Sequence, residues 1–401
     1  MTVRRLITAL VVAAVTGAAT TSCSRASART SADSDTLYIA VAATRSSPAY
    51  FHGVELALQK LNAERPHTAR PFGMRVPLLT QTSQVAVAAR FRDDPAVIGV
   101  VGHTGSAQTL ETAPVYGDLA NDGKHAVVAV TPTATNPQVT RASRWIFRVC
   151  PTDDDAARAL ARFAADSLHL DRVAIVYRND LFGRGFTRTI APELAFEHVG
   201  VAERDPYLAG ITEYEAYAAR IARSGVPAVI FAGGGVDAAD LVRALHNESA
   251  HPVILGSDDV ASILDGVKAT PPVRPSPKRR GKRAPLAPPP PPDDRELFRG
   301  VRFTAFYDAH RPADPEAKHF VAEYTRRFGQ KPPPQAALSY DAAMLIGRAA
   351  LAVGADRRRV RDWIAAVGSR TPPMRGITGI IRFDENGDAV GKPVIVGRIE
   401  P

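Results

Sequence analysis

The sequence VIGVVGHTGS at residues 97–106 and the sequence VVAVTPTATNP at residues 127–137 decide the fold of this chain. Each opens with a short valine-rich run that does not alternate with polar residues, which is typical of a parallel strand buried on both faces. A small polar loop follows each run. In the first loop, Gly105 permits close approach of the backbone and Ser106 is a good N-cap, so free N–H groups of a following helix would face the space above the sheet. The two loops predict an α/β fold that holds a small anion, such as a carboxylate.

Strands and helices alternate along the chain on both sides of these loops, as βαβ units do. Apolar runs predict strands at 37–42, 76–79, 97–101, 127–130 and 145–149 in a first repeat, and at 173–177, 228–232, 253–255 and 300–307 in a second. The pattern restarts at Thr152, because a threonine cap followed by three aspartates suits the positive end of a helix. We therefore predict two Rossmann-like lobes with mostly parallel sheets. Three later helices are expected to return to the first lobe, at 316–328, 340–353 and 359–367.

The first 22 residues have the pattern of an export signal. Arg4 and Arg5 precede an uncharged apolar segment at 6–19, and small residues then lead to Cys23, as in a secretory signal with a lipidation site. Thr20 stands where bacterial lipoproteins most often have leucine, so cleavage without lipidation is the alternative. We predict a signal peptide at 1–22, a lipid anchor on Cys23 and a flexible tether at 23–35. The protein would then lie outside the cytoplasm, in the periplasm or on the outer face of the cell membrane.

The basic charge of the chain is concentrated outside the predicted lobes. The formal net charge is +9, and residues 271–292 alone hold six basic residues together with ten prolines. The remainder is nearly neutral, which argues against nucleic-acid binding. We expect 271–294 to be a disordered insert, because such a composition cannot bury enough apolar surface to offset the entropy of ordering. It connects a predicted helix to a strand, so it should lie opposite the side of the sheet where ligands bind.

No segment of the sequence has the spacing of a catalytic or metal centre. A Gly-x-Ser-x-Gly elbow, a Walker loop and a His/Cys cluster are all missing. His103 is the one histidine in a predicted ligand loop, and we expect it to be a polar filler. Cys150 precedes a proline at the end of an apolar run, which favours a buried thiol over a nucleophile. We expect no enzymatic activity, no cofactor and no metal.

Several segments carry a resemblance that covers nearly the whole chain after the signal. Besides the two loop segments, they are TLYIAVAATRSSPAYFHGVELALQKLN at 36–62, RVAIVYRNDLFGRG at 172–185, PVILGSDDV at 252–260 and MRGITGIIRFDENGDAVGKP at 374–393. In this order they resemble the type I periplasmic binding proteins of the branched-chain amino-acid (leucine/isoleucine/valine) group. The resemblance implies two lobes that are joined by a three-strand hinge, close on a ligand and deliver it to an ABC permease. It assigns 36–150 and 308–381 to lobe 1, and 151–307 and 382–401 to lobe 2 and the hinge.

The resemblance also implies which residues of the two lobes bind the ligand. Ser106 and Thr135 would hold its carboxylate, and the carbonyl of Thr133 would bind its ammonium group. On the second lobe, Asp258 would pair with the ammonium, and Asp259 is near enough in sequence to compete for that role. The full set of expected ligand-binding residues is Tyr50, Gly105, Ser106, Thr133, Thr135, Phe182, Gly235, Asp258 and Asp259.

Three of these positions concern the walls of the expected pocket. Phe182 would cover the ligand from the second lobe. Gly235 ends the sequence Gly233-Gly234-Gly235, where the family often has a second aromatic residue, so the pocket would lose one wall and accept a bulkier ligand. Tyr50, with its neighbour Phe51, could supply apolar surface instead.

The residues support the same function without the resemblance. All of them follow a strand and precede a helix, which is the face where a cleft between two α/β lobes forms. Hydroxyls and helix-start amides suit a carboxylate, while an aspartate on the facing lobe suits an ammonium, so a zwitterion favours closure. We predict a monomeric solute-binding lipoprotein that captures an amino acid or related small carboxylate for an ABC permease. A ligand sensor or cell-envelope regulator on the same fold is the alternative.

Overall fold

The computed structural model describes residues 35–77, 83–210, 213–266 and 294–400. The signal peptide, the lipidation site at Cys23, the tether before Asp35 and the proline-rich insert before Asp294 lie outside the described residues.

The first sheet has five parallel strands in the order β2-β1-β3-β4-β5. The strands and the helices between them are β1 (Leu37–Ala42), α1 (Pro48–Glu64), β2 (Phe72–Arg75), α2 (Gln84–Asp93), β3 (Val97–Gly102), α3 (Ser106–Tyr116), β4 (Ala129–Thr131), α4 (Gln138–Arg141) and β5 (Ile146–Arg148). All of β1 and β3 is buried, as their unalternating sequences predict. The strand predicted to begin at Val76 is wrong at its start, since β2 ends at Arg75, and residues 78–79 lie outside the described residues. Pro77 has no N–H with which to continue a ladder.

A second α/β repeat begins after the cap residue Thr152. Its helices and strands are α5 (Asp153–Arg162), β6 (Arg172–Arg178), α6 (Leu181–Phe196), β7 (Gly200–Tyr207), α7 (Glu215–Ser224), β8 (Ala228–Ala232), α8 (Gly235–Asn247), β9 (Val253–Gly256) and β10 (Arg302–Ala305), with 3-10 helices at Asp258–Gly266 and Arg295–Phe298. Thr152 and Asp155 form a capping box, in which each side chain accepts a hydrogen bond from the other residue's backbone N–H. The strand β7 was not predicted, because its sequence is largely polar and every second residue is exposed.

The C-terminal part of the chain returns to the first lobe, as predicted. It contains α9 (Pro315–Phe328), α10 (Pro334–Val353), α11 (Arg357–Ala365), β11 (Met374–Gly376), β12 (Gly379–Ile381) and β13 (Ile395–Arg398). The helix α10 packs directly on α1, where Gly53 lies so close to Ala336 that a Cβ atom would come within 2.0 Å of its carbonyl oxygen. Among the described residues, α10 is also the one helix long and apolar enough to cross a membrane, but most of it is buried in the core.

The second sheet has six strands in the order β13-β10-β9-β8-β6-β7. The edge strand β13 is antiparallel to β10, and the other pairs are parallel. The predicted fold class, two α/β lobes with mostly parallel sheets, is confirmed. The chain passes between the two sheets after β5, after β10 and before β13. The carboxyl ends of β3, β4 and β9 carry the predicted ligand loops, so the fold determines where these loops meet.

Candidate functional site

The polar loops that follow β3 and β4 are joined by hydrogen bonds between their own residues. Thr133 Oγ1 donates to the carbonyl of Thr104 at 2.7 Å, and the backbone N–H of Asn136 donates to Ser106 Oγ at 3.2 Å. These contacts hold the two predicted carboxylate-binding loops in one fixed arrangement. A site that is already ordered loses less entropy when a ligand binds.

The helix α3 presents an uncapped N-terminus at this site. It begins at Ser106 with Gly105 as the N-cap, one residue earlier than expected, and it has neither a side-chain cap nor an acidic residue in its first turn. The first-turn N–H groups therefore remain for an anion. Because Ser106 Oγ accepts from Asn136, its own hydrogen can be donated to a ligand carboxylate.

Tyr50 and Thr133 form one hydrogen-bonded chain beside these loops. The hydroxyl oxygens of the two residues are 3.0 Å apart. Since Thr133 donates its hydrogen to Thr104, Tyr50 must be the donor to Thr133. Tyr50 is therefore held by a polar contact and is more than the apolar wall that the sequence predicted. The hydroxyl hydrogen of Thr133 is therefore used, so Thr133 can offer a ligand only acceptors, its remaining lone pair and its carbonyl.

Thr135 is bonded to a residue that the sequence did not single out as part of the site. The N–H of Asp153 donates to the carbonyl of Thr135 at 2.9 Å, and the side chain of Thr135 lies close enough to the Asp153 carboxyl group to lower its pKa. Asp153 is 1% exposed, and burial raises the pKa of its carboxyl group to about 7. Its Oδ2 atom has no partner among the described residues.

This contact decides what Thr135 can offer a ligand. An ionised Asp153 only accepts hydrogen bonds, so Thr135 must donate its hydrogen to it. With its hydrogen given to an ionised Asp153, the hydroxyl of Thr135 offers lone pairs that suit an ammonium group. A protonated Asp153 leaves Thr135 free to donate to a carboxylate, so the predicted carboxylate contact of Thr135 stays a prediction, and the start of α3 is a second place for the carboxylate.

Asp258 and Asp259 follow β9 at the start of a 3-10 helix. Burial raises the pKa of Asp258, and the neighbouring charges of Asp259 and Asp153 raise it further. Burial likewise raises the pKa of Asp259, although 51% of its side-chain surface is open to water. The carboxyl group of Asp259 is thus surrounded by many protein atoms, and part of its surface still contacts water. A cation from a ligand would stabilise the charged form of both groups.

Arg178 and Phe182 lie on the same side of the site as Asp259. The guanidinium of Arg178 is 2.6 Å from the carboxylate of Asp180 and 3.9 Å from that of Asp259. Its central carbon is 5.6 Å from the ring centre of Phe182. Arg178 thus orients both the predicted aromatic cover and one of the two predicted acids.

A small cavity brings the two lobes of the site together. Its volume is about 20 Å³, and its walls include Thr133 of the first lobe, Asp258 of the second, Thr304 of β10 and Gln335 of α10. Two residues predicted on opposite lobes therefore share one cavity. A larger cavity of about 440 Å³ lies behind α8, beside Leu245, away from the predicted ligand residues.

Known proteins share this sequence pattern and this fold. The family model of periplasmic binding proteins matches residues 79–258. An amino acid binding protein from Pseudomonas aeruginosa is 26% identical over 308 residues, which cover 76% of this chain and 72% of the relative. A leucine binding protein from Thermotoga maritima has a crystal structure with a TM-score of 0.74 at 24% identity, covering 91% of this chain and 95% of that one. Residues 79–258 therefore match the periplasmic binding protein family, and the described chain has the type I fold of that family.

Periplasmic binding proteins of this fold hold ligands of different chemistry. A solute binding protein from Rhodopseudomonas palustris was crystallised with 3,4-dihydroxybenzoic acid, and it has a TM-score of 0.72 at 15% identity, covering 91% of this chain and 93% of that one. The fold therefore does not identify the ligand of this periplasmic binding protein, and its own side chains have to be considered.

Gly235 does not leave the opening that the sequence predicted. A Cβ atom at this position would lie 2.4 Å from the carbonyl carbon of Ser262 and 2.5 Å from the backbone nitrogen of Ile263. The start of α8 is thus packed against the backbone of the 3-10 helix that carries Asp258. The expectation of a missing wall is wrong, because Gly235 is needed for close packing and does not border empty space.

His103 and Cys150 have the structural roles that the sequence indicated. The ring nitrogens of His103 lie 2.8 Å from Gln84 Oε1 and 2.8 Å from the hydroxyl of Tyr116, and burial lowers its pKa to about 4. Cys150 is a fully buried free thiol, and burial raises its pKa to about 12. A neutral imidazole and a protonated thiol both fit a packed interior.

Sequence reasoning missed Asp153, Arg178 and Thr304 as parts of the site. The sequence does single out Asp153 as the first acidic residue after β5. Its place in the first turn of α5 accounts for an acidic residue there, so it was not assigned to the site. Arg178 and Thr304 have no local signal. They reach the site because β6 and β10 belong to the same sheet as β9.

Proposed function

We propose that this periplasmic binding protein captures an amino acid between its lobes outside the cytoplasm and delivers it to an ABC permease. A donor site and an acceptor site that border one cleft support this proposal. Ser106 and the first-turn amides of α3 offer hydrogens for a carboxylate, while Asp258 offers carboxyl oxygens for an ammonium, whose positive charge would favour the ionised form of that group. A zwitterion satisfies both sites when the lobes are closed.

The acceptor site favours an amino acid over a simple carboxylate. It includes Asp258, the lone pairs of Thr135 and the carbonyl of Thr133. An aromatic carboxylate such as that bound by the Rhodopseudomonas palustris protein has no ammonium with which to neutralise these groups. Leaving buried charges without a partner is costly, so such a ligand would bind poorly here.

The proposal includes the location of the protein. The predicted signal at 1–22 and Cys23 support export and a lipid anchor, which would hold the protein near a permease at the membrane. Binding, closure and release require no bond to be made or broken in the ligand, so we propose no enzymatic activity. We propose a monomer, in which Tyr50, Gly105 and Phe182 complete the ligand site with the residues above.

Thermal denaturation of the purified protein with a panel of L-amino acids and with 3,4-dihydroxybenzoate tests the proposal. An amino acid at 100 times its dissociation constant should add about 2.7 kcal/mol to the free energy of unfolding. Ser106→Ala and Asp258→Asn should each weaken binding about tenfold or more, since a hydrogen bond to a charged group contributes roughly 1.5 to 3 kcal/mol.

Ser224→Ala, on α7 outside the cleft, is the matched control and should bind like the unmodified protein. Stabilisation by the benzoate and by no amino acid would contradict the proposal. Equal affinity of the Ser106 and Asp258 variants and the unmodified protein would contradict the assigned site.

A further inference from the structure

Arg148 is a completely buried residue at the end of β5, where the chain first passes between the two sheets. Its Nη1 atom donates to two backbone carbonyls of the loop that follows β4, to that of Ala134 at 3.0 Å and to that of Asn136 at 2.9 Å. These two residues stand on either side of Thr135. Both hydrogens of this guanidinium nitrogen are therefore used on the predicted ligand loop.

The contact with Ala134 fixes the direction of the backbone N–H of Thr135. In a planar trans peptide, the C=O and the N–H point in opposite directions. The carbonyl of Ala134 points to Arg148, so the N–H of Thr135 points to the other side of the loop. This buried N–H donates to no residue in the part of the chain that the structure describes. It is therefore available to a ligand.

The next peptide unit of the loop is held in the same way. The carbonyl of Thr135 accepts from the N–H of Asp153 at 2.9 Å. The N–H of Asn136 therefore points the other way, and it donates to Ser106 Oγ at 3.2 Å. Three successive carbonyls of the loop are thus bonded by Arg148 or Asp153, on either side of the first crossing between the sheets. The same arrangement connects the loop to Ser106 at the start of α3.

Asp388 holds the guanidinium of Arg148 in this position from the last crossing segment, between β12 and β13. Its Oδ1 atom lies 2.6 Å from Arg148 Nε and also accepts from the hydroxyl of Thr140 at 2.6 Å. The backbone N–H of Arg148 donates to the carbonyl of Gly387 at 3.1 Å. A Cβ atom on Gly387 would lie 3.0 Å from the carbonyl oxygen of Ile146, so this turn packs directly on β5. One arginine thereby joins the ligand loop to two of the segments that cross between the lobes.

From this network we infer that Arg148 is a positioning residue, which holds the loop after β4 in the arrangement that binds the ligand, and that Asp388 acts through it. Arg148 is buried and its hydrogens are used within the protein, so it acts on the ligand through the loop. The inference rests on the proposed function and deepens it, since it names what orders the site before a ligand arrives. An ordered loop binds more tightly, because less entropy is lost on binding.

Titration calorimetry of Arg148→Lys, Asp388→Asn and the double variant tests the inference, with the amino acid that stabilises the unmodified protein most in thermal denaturation. A lysine ammonium cannot hold two carbonyls and a carboxylate in one plane, so Arg148→Lys should weaken binding about tenfold or more. Asp388→Asn should weaken binding about threefold, the effect of one ordinary hydrogen bond. The double variant should bind like Arg148→Lys, because Asp388 acts only through Arg148.

Arg357→Lys is the matched control for Arg148→Lys. The guanidinium of Arg357 also binds backbone carbonyls of the first lobe, but at the edge of the sheet where β3 and β4 begin, opposite the ligand loops. These carbonyls belong to Arg92, Asp94, Val97 and His125. The thermal midpoint of Arg357→Lys should fall while its ligand affinity stays within about twofold, since distant sites act independently. Loss of stability is thereby distinguished from loss of positioning.

Thermal denaturation without ligand establishes which variants are folded at the temperature of the titration. If Arg148→Lys does not fold, Asp388→Asn alone decides. Unchanged affinity in folded Asp388→Asn, additive losses in the double variant, or a loss in Arg357→Lys as large as in Arg148→Lys would overturn the inference and leave the proposed function standing. Failure of the unmodified protein to bind any amino acid would overturn the proposed function and the inference with it.

Discussion

At the scale of single residues, the direction of one hydrogen bond decides which end of a ligand a hydroxyl can bind. Thr135 looks in sequence like a donor to a carboxylate. When the neighbouring buried Asp153 is ionised, it accepts this hydrogen, and the Thr135 hydroxyl then offers lone pairs instead. The carboxylate is then left to Ser106 and the amides of α3. The two loops that define the fold therefore contribute opposite kinds of contact, one donating and the other accepting.

Asp153→Asn should change the pH dependence of both stability and binding. Burial raises the pKa of Asp153 from 3.8 to about 7, so between these values the folded protein keeps a proton that the unfolded chain has lost. This group therefore lowers the free energy of unfolding as pH rises from about 4 to about 7. Amino-acid affinity should rise only toward the upper end of this range, as pH approaches 7 and the folded protein begins to release this proton, because the carboxylate form accepts the hydrogen of Thr135 and leaves its lone pairs for the ammonium.

Thermal denaturation and titration calorimetry of the unmodified protein and Asp153→Asn across this pH range measure both effects. The difference in thermal midpoint between the two proteins should change with pH. The affinity of the variant for the amino acid should increase less steeply with pH than that of the unmodified protein. Asp154→Asn, on the same helix, is the control, since Asp154 contacts Thr189 and not Thr135. Curves that stay parallel from about pH 4 to about pH 7 would contradict this role of Asp153.

At the scale of elements, a buried polar cluster attaches the C-terminal crossing segment to α10. Asp341 of α10 accepts from the N–H groups of Ile377 and Thr378 at 2.8 and 3.0 Å and from the hydroxyl of Thr378. Lys392 donates to Thr378 and lies 3.9 Å from Asp341. Both charged groups are nearly inaccessible to water. Burial raises the pKa of Asp341 and lowers that of Lys392.

Asp341→Asn should destabilise the protein by about 3 kcal/mol or more, because removal of one partner leaves a buried charge uncompensated. Urea denaturation monitored by circular dichroism measures the change. Glu296→Gln, which breaks an exposed ion pair with Arg299, is the control and should leave the free energy of unfolding nearly unchanged. A loss no larger than that of the control would show that the cluster does not secure the crossing segment.

At the scale of the whole molecule, the sequence predicts that the proline-rich insert and the ligand site lie on opposite sides of the second lobe. The described chain resumes at Asp294, whose carboxylate bonds Arg243 in the second half of α8. The start of α8 faces the ligand loops and its end faces away, so this attachment lies at the far edge of the sheet. The sequence-based expectation that the insert avoids the ligand stays a prediction, and the position of Asp294 supports it.

Deletion of residues 271–292 should therefore leave amino-acid affinity within about twofold of the unmodified protein. The expected change is small because a surface connection contributes little to a site on the opposite edge. Titration calorimetry with the best ligand from the panel checks this, and replacement of the segment by a glycine/serine linker of equal length controls for loop closure. A tenfold loss in the deletion that the linker does not restore would contradict the placement of the insert.

The sequence by itself determined the fold class, the positions of the ligand loops and the return of the C-terminal helices. These follow from local patterns, namely unalternating valine-rich strands, glycine at a helix start and the periodicity of helices. Only the tertiary structure decided the contact between Thr135 and Asp153, the packing of Gly235 against Ser262 and the approach of Thr304 to Asp258. Each of these depends on atoms from segments distant in sequence that meet when the sheets assemble, and no local pattern encodes such a meeting.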